Sequence, residues 1–196
     1  MRTLGYAVLG LLSREGLSGY DLKLWMERPL GYFWSARHSQ IYPELARLEE
    51  DGFVTHRVVE QSGRPDKKVY RITAEGREAL KEWVIEPPAS RPVRDELTLK
   101  AYSVWLADKE KAARLFREEA LHHEEQLAHY EEIRAWLDSE HGQELRSPES
   151  PWFATYATLR RGIGYETEYA GWCRWMADSV ERRALPEKEG AKSGRQ

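Results

Sequence analysis

The chain has 196 residues, 41% hydrophobic and 32% charged, with a formal net charge of −3. That length suits one or two domains with a real core, and the balanced charge gives no overall argument for nucleic-acid binding. A lone cysteine, Cys173, excludes an internal disulfide framework. With no apolar run near the roughly 20 residues a bilayer needs, and no signal-like amino terminus, a cytoplasmic protein is expected.

In chain order, Leu4, Val8, Leu11 and Leu12 fall on one face of a first helix that stops at Ser13-Arg-Glu-Gly16. Ser18-Gly-Tyr-Asp21 has capping-box spacing: the hydroxyl of Ser18 can accept a first-turn N–H, and Asp21 can reach back. It opens a second helix with Leu22, Trp25 and Met26 inside, closed by Pro29-Leu-Gly31. A third helix begins near Ser39, with Ile41, Leu45 and Leu48 as its core face and Gln40, Pro43 and Arg47 opposite. Residues 53–61 and 67–73 read as two short strands joined by Ser62-Gly-Arg-Pro-Asp66, a turn by its glycine and proline. From Arg64 to Arg71 four basic residues face one acidic residue, Asp66. Thr73 is an expected N-cap, with Glu75 in the first turn of a fourth helix that Leu80, Trp83 and Val84 pack on the core. A helix able to enter a major groove beside a cationic hairpin is the geometry of a winged helix-turn-helix.

The prolines in Glu86-Pro-Pro-Ala-Ser-Arg-Pro92 end that domain. Helical periodicity resumes after Asp95, with Leu97, Ala101 and Val104 in a short helix. Asp108 caps a long one running to about Ser139, striped by Phe116, Ala120, Leu127, Tyr130, Ile133 and Leu137. After a break at Gly142 and Ser147-Pro-Glu-Ser-Pro151, a last helix repeats Trp152, Tyr156, Leu159, Ile163, Tyr169, Cys173, Met176 and Val180 at near-heptad spacing. The fold class expected is mainly α with a small β-hairpin wing. Its domains are a winged helix-turn-helix over 1–86, a helical dimerisation and effector domain over 87–185, and a disordered tail over 186–196.

Several blocks resemble the PadR family of bacterial transcriptional regulators: Leu4-Gly-Tyr-Ala-Val-Leu-Gly-Leu-Leu12, Ser18-Gly-Tyr-Asp-Leu22, Ser39-Gln-Ile-Tyr-Pro-Glu-Leu-Ala-Arg-Leu48, Gly52-Phe, Gly63-Arg64 and Glu75-Gly76. The resemblance covers about the first 85 residues by motif, and the second half by architecture, like the family's larger subgroup. It implies a DNA-binding head, a dimerising helical domain and an effector pocket there, in a family that senses phenolic acids and planar drugs. One departure is Pro65, which stiffens the wing tip.

The DNA-contacting set expected is Arg37, His38, Ser39, Gln40, Tyr42 and Arg47 from the recognition helix and its approach, with Arg64, Lys67 and Lys68 from the wing. The dimer seam expected is Tyr156, Leu159, Ile163 and Met176, with an intramolecular helical hairpin as the competing packing. Eight tryptophans offer indole faces to a small aromatic effector, though aromatics at helical spacing also build cores. His122, His123, Glu125 and His129 lack a third ligand at zinc spacing and read as a solvated face. Cys173 reads as a small buried hydrophobe. No phosphate loop or activated nucleophile is visible, so neither an enzyme nor a cofactor is expected. The function expected is a homodimeric repressor that binds a palindromic operator and is released by its effector. The alternative is a winged-helix protein–protein adaptor.

Overall fold

The computed structural model describes residues 1–27, 38–60, 66–88 and 94–182. The helix end at Pro29-Leu-Gly31, Arg37, most of the hairpin turn with Arg64 and Pro65, and the tail lie outside the described residues. The chain divides into two compact units, Met1–Arg91 and Pro92–Gln196.

The first unit runs α1 (Thr3–Leu12), β1 (Leu17–Ser18), α2 (Gly19–Glu27), α3 (His38–Glu50), β2 (Val54–Val59), β3 (Lys67–Ile72) and α4 (Ala74–Ile85). Its core is built from the apolar faces read in the sequence: Val8, Leu11 and Leu12 from α1, Leu22 and Met26 from α2, and Ile41, Leu45 and Leu48 from α3. Leu9, on no expected face, is also fully buried, so α1 is covered on two sides. Trp83 of α4 stacks on Tyr6 with ring centroids 4.5 Å apart. Val84, expected in the core, is instead 67% exposed, because α4 offers Leu80 and Trp83 to the head and turns the next position outward.

The strands form an antiparallel sheet in the order β1-β3-β2. At two residues β1 has no periodicity of its own; Leu17 opposite Tyr70 and Ser18 opposite Val69 make it a strand only by pairing. α3 ends at Gly52, whose φ of 78° is the left-handed conformation glycine tolerates best, while Phe53 N–H donates to the Leu48 carbonyl at 2.8 Å. Thr73 caps α4, its hydroxyl accepting from Gly76 N–H at 3.0 Å and donating to the Gly52 carbonyl at 2.8 Å. That cap draws Gly76 onto the strand entrance, where a Cβ would lie 2.2 Å from the Phe53 carbonyl oxygen. Gly76→Ala is therefore expected to push α4 off the sheet and cost about 1–3 kcal/mol of stability. Denaturant unfolding checks this; an unchanged midpoint would mean that α4 shifts without strain.

The second unit contains α5 (Glu96–Tyr102), a 3-10 turn (Val104–Leu106), α6 (Lys109–His141), a second 3-10 turn (Glu144–Arg146) and α7 (Pro151–Glu181). Carboxylate and hydroxyl caps start its α-helices: Asp95 accepts from Thr98 N–H, Asp108 from Lys111 N–H and Ser150 from Trp152 N–H. α6 and α7 form an antiparallel hairpin, from the Arg117–Glu181 ion pair at one end to the Trp136–Trp152 ring contact at the other. Phe116, Ala120, Tyr130 and Leu137 of α6 are buried together with Leu159, Cys173 and Met176 of α7. Burial pushes the Cys173 thiol up to about 11, which suits a packed hydrophobe rather than a nucleophile.

His123 departs from the expected solvated face. It turns inward to pair with the buried Glu166 of α7, and its ring lies 4.3 Å from that of Tyr169. The Tyr169 hydroxyl donates to Asp95 at 2.6 Å, so the residue that caps α5 also fastens it to α7. This bond holds the Asp95 carboxyl below the usual range, while burial and the same bond raise the tyrosine. Among the described residues no group of three or more His, Cys, Asp or Glu could hold a metal. No described helix is long and apolar enough to cross a membrane.

Candidate nucleic-acid interface

The interface is built on the capping box at the start of α2. Asp21 Oδ2 accepts from Ser18 N–H at 3.0 Å and from the Ser18 hydroxyl at 2.8 Å, and Asp21 N–H donates back to that hydroxyl at 3.2 Å. The same carboxylate oxygen lies 3.0 Å from Lys67 Nζ, so the cap also fixes the first residue of β3. Partial burial works to raise the Asp21 pKa, but the Ser18 N–H and the Lys67 ammonium outweigh it and hold the carboxyl below its usual range. The stabilisation linked to that lowered value is present at neutral pH and fades as acid protonates the carboxyl.

α3 carries the expected reading residues in its first turns. His38 opens the helix, Ser39 and Gln40 are exposed, and Tyr42 is 46% exposed with its ring edge against the backbone of Gly19. A Cβ at Gly19 would sit 2.5 Å from that ring, so the missing side chain lets Tyr42 lie across the junction of α2 and α3. Arg47 stands apart from this group, about 10 Å along the helix from Gln40. It is half-buried and paired at 2.8 Å with Glu44. Glu44 itself is buried, and its other carboxylate oxygen has no hydrogen-bond partner among the described residues.

The hairpin register adds a basic residue that the sequence reading missed. Thr55 pairs with Arg71, Arg57 with Val69, and Val59 with Lys67, so Arg57, Lys67 and Arg71 share one face of the ribbon. Lys68 belongs to the opposite face, where it is exposed beside exposed Val58. The charge count had stopped at residues 64–71; the period-two alternation of β2 was the signal that would have added Arg57.

In the helical unit the expected seam divides. Leu159 and Met176 are buried within the protomer, facing α6, whereas Tyr156 and Ile163 are half-buried. Within the chain, the stripe of α7 that carries Leu159 and Met176 is covered by the stripe of α6. Among the described residues of this unit, large apolar side chains are exposed on Leu99, Tyr102, Trp105 and Leu106, on Leu121 and Trp136 of α6, and on Tyr165 and Trp175 of α7.

A winged helix-turn-helix head followed by a helical hairpin defines a class of DNA-binding regulators. Comparison with known proteins narrows the class. Residues 8–82 match the model of the transcriptional regulator PadR-like family, and residues 93–181 match the virulence activator alpha C-terminal model. The negative transcriptional regulator PadR of Bacillus subtilis is 38% identical over 187 residues, covering 93% of this chain and 100% of that protein. Its crystal structure in complex with operator DNA superimposes with a TM-score of 0.83 at 36% identity, covering 92% of this chain and 99% of that one. Its structure in complex with p-coumaric acid gives 0.76 at 35% identity, covering 92% and 100%. The chain belongs to the PadR-like family of transcriptional regulators.

Proposed function

We propose that this protein is a cytoplasmic, homodimeric repressor that binds a palindromic operator and is released by a small aromatic effector. The observation that carries the DNA-binding part is the juxtaposition in the head. The first turn of α3 presents Ser39 and Gln40 beside a hairpin whose register gathers Arg57, Lys67 and Arg71 on one face. Gln40, with His38 and Tyr42, reads base edges, and Arg37, which precedes α3 in the sequence, is assigned to the same contact set. Arg64, Lys67, Lys68 and Arg57 neutralise phosphate along the wing, while Arg47 holds the last turn of α3 near the backbone. Because Lys67 is paired with Asp21 in the free protein, its phosphate contact requires exchange of one anionic partner for another.

Replacing Lys67 and Lys68 by alanine is expected to weaken all duplexes to a similar degree and to reduce the salt slope of binding by roughly one per lost contact. Fluorescence anisotropy on a short duplex across a salt series reads this out. A slope unaffected by the double substitution would remove both lysines from the phosphate set. Salt-independent attachment of the wild type would favour the protein–protein adaptor.

Dimerisation belongs to the helical unit. Leu99, Tyr102, Trp105 and Leu106 lie on and just after α5, which packs on the cluster around Phe116, Cys173 and Met176; Leu121 and Trp175 flank that same end of the hairpin. This end is the seam we assign to a second copy, with Tyr156 and Ile163 toward its other end. The effector reading rests on the rings of the same unit. His141 stacks on Trp152 with centroids 3.7 Å apart and meets Trp136 edge-on at 5.6 Å, and an open cavity of about 640 Å³ in the same unit is lined by Asp138, Gln143, Arg146 and Tyr156, with no described tryptophan among its walls. Stacked rings of this kind suit contact with a planar aromatic effector. We assign the protein no enzymatic role, in keeping with its family of transcriptional regulators.

A further inference from the structure

The chain passes from α3 into the wing through a short turn around Gly52, and contacts at increasing distance span that turn. At the turn itself, Phe53 N–H donates to the Leu48 carbonyl at 2.8 Å, and the Thr73 hydroxyl donates to the Gly52 carbonyl at 2.8 Å. Farther out, Nδ1 of His56 on β2 lies 2.5 Å from Oε1 of Glu49 in the last turn of α3. His56 stands four residues past Gly52, about 13 Å along an extended chain, so of these contacts it has the longest lever against rotation of the ribbon. The pair is well seated. His56 lies on the core side of the ribbon with buried Val54, opposite buried Tyr70, whose ring centroid is 5.4 Å from the imidazole. The two side chains keep 23% and 35% of their surface. A carboxylate in the last turn of a helix meets the negative end of the dipole and gains from a donor that answers it. The imidazole supplies that donor. Arg57, next in the chain, belongs to the other face of the ribbon with Lys67 and Arg71.

We infer that Glu49 and His56 are positioning residues for DNA recognition: their bond sets the angle at which the basic ribbon is presented beside the reading turn of α3. The inference rests on the DNA-binding reading above and gives neither side chain a contact with DNA. Charge argues against such a contact for Glu49, since a carboxylate repels phosphate. With the bond in place, Arg57 and Lys67 are held at one distance and angle from Gln40 before DNA arrives. Without it the same groups remain, but the ribbon must be ordered against α3 at the moment of binding, which costs affinity. That cost falls on a site that needs both halves in register, and spares loose attachment to any phosphate backbone.

Fluorescence anisotropy of the full-length protein at constant ionic strength tests this on two duplexes of equal length. One carries the palindrome that the wild type selects from a random pool, and the other carries the same bases scrambled. His56→Ala and Glu49→Ala should each weaken binding to the palindrome by about tenfold, the net worth of one hydrogen bond to a charged group. The double variant should lose no more than either single one, because one bond is removed in all three. The scrambled duplex should change by less than about twofold in each case. His56→Asn, whose amide nitrogen falls near the place of the imidazole Nδ1, should keep the wild-type preference. Loss of a carboxylate near the DNA would by charge alone strengthen both duplexes, so that result for Glu49→Ala would overturn the inference. Additive losses in the double variant, or a wild-type ratio between the two duplexes in the folded single variants, would overturn it as well. A wild type that binds both duplexes alike would instead overturn the DNA-reading function, and this inference with it. Circular dichroism establishes that each variant is folded, and Glu49→Ala, at a partly exposed helix position, carries the test if His56→Ala is not.

Discussion

Leu159→Ala is expected to lower the unfolding free energy by about 2–5 kcal/mol while leaving a folded protein's dimerisation intact. Leu159 has no exposed surface and sits on the stripe of α7 that faces α6, so truncation leaves a cavity between two long, stiff helices. Those helices close poorly on such a void, because Tyr130 and Leu137 are themselves buried on the facing stripe. Urea unfolding read by circular dichroism gives the first quantity, and sedimentation at concentrations where the variant is folded gives the second. A variant that retains its stability but becomes monomeric would put Leu159 back at the subunit seam.

The converse result is expected for Trp105→Glu. Trp105 is 79% exposed, so a carboxylate there costs the isolated protomer little. In a dimer closed over Leu99, Tyr102, Trp105 and Leu106 the same carboxylate is buried without a partner, a penalty of about 3–5 kcal/mol against association. Operator affinity should fall with it, since a single head holds only half the site. Analytical ultracentrifugation at micromolar concentration decides this, and a variant that is still dimeric would move the seam toward Tyr156 and Ile163.

These two substitutions mark the boundary of what the sequence discloses. Local signals were legible because they are written in neighbouring residues: Ser18 with Asp21, Thr73 with Gly76, Asp108 with Lys111, and the buried face Ile41, Leu45 and Leu48. Periodicity also located the stripes of α6 and α7, but a stripe does not name its partner. Either the other stripe or a second copy satisfies the same pattern, and within the protomer the two stripes found each other. The inward turn of His123 was hidden for the same reason, since Glu166 lies 43 residues away. β1 escaped because two residues carry no period, and Arg57 because its place on the basic face depends on the register with β3.

The buried Glu44 illustrates a different limit. Its position on the core side of α3 breaks the apolar pattern, yet it is 4% exposed, with one oxygen on Arg47 and the other near Gly5. A Cβ at Gly5 would lie 2.9 Å from that oxygen, so the glycine in α1 makes room for the carboxylate. No sequence period reports such a pairing, because the two residues belong to different helices.

α3 and the wing of a dimer are expected to read a specific, symmetric DNA site. Selection of bound duplexes from a random pool measures it most directly, with wild type and Gln40→Ala carried through in parallel. The wild type should yield a palindrome whose half-sites are centred about 10 base pairs apart or a multiple of that, two heads on successive major-groove faces. Gln40→Ala should bind that palindrome about 1–3 kcal/mol more weakly and lose preference at one base pair in each half-site. No consensus from the wild type, or a consensus without two-fold symmetry, would contradict the claim.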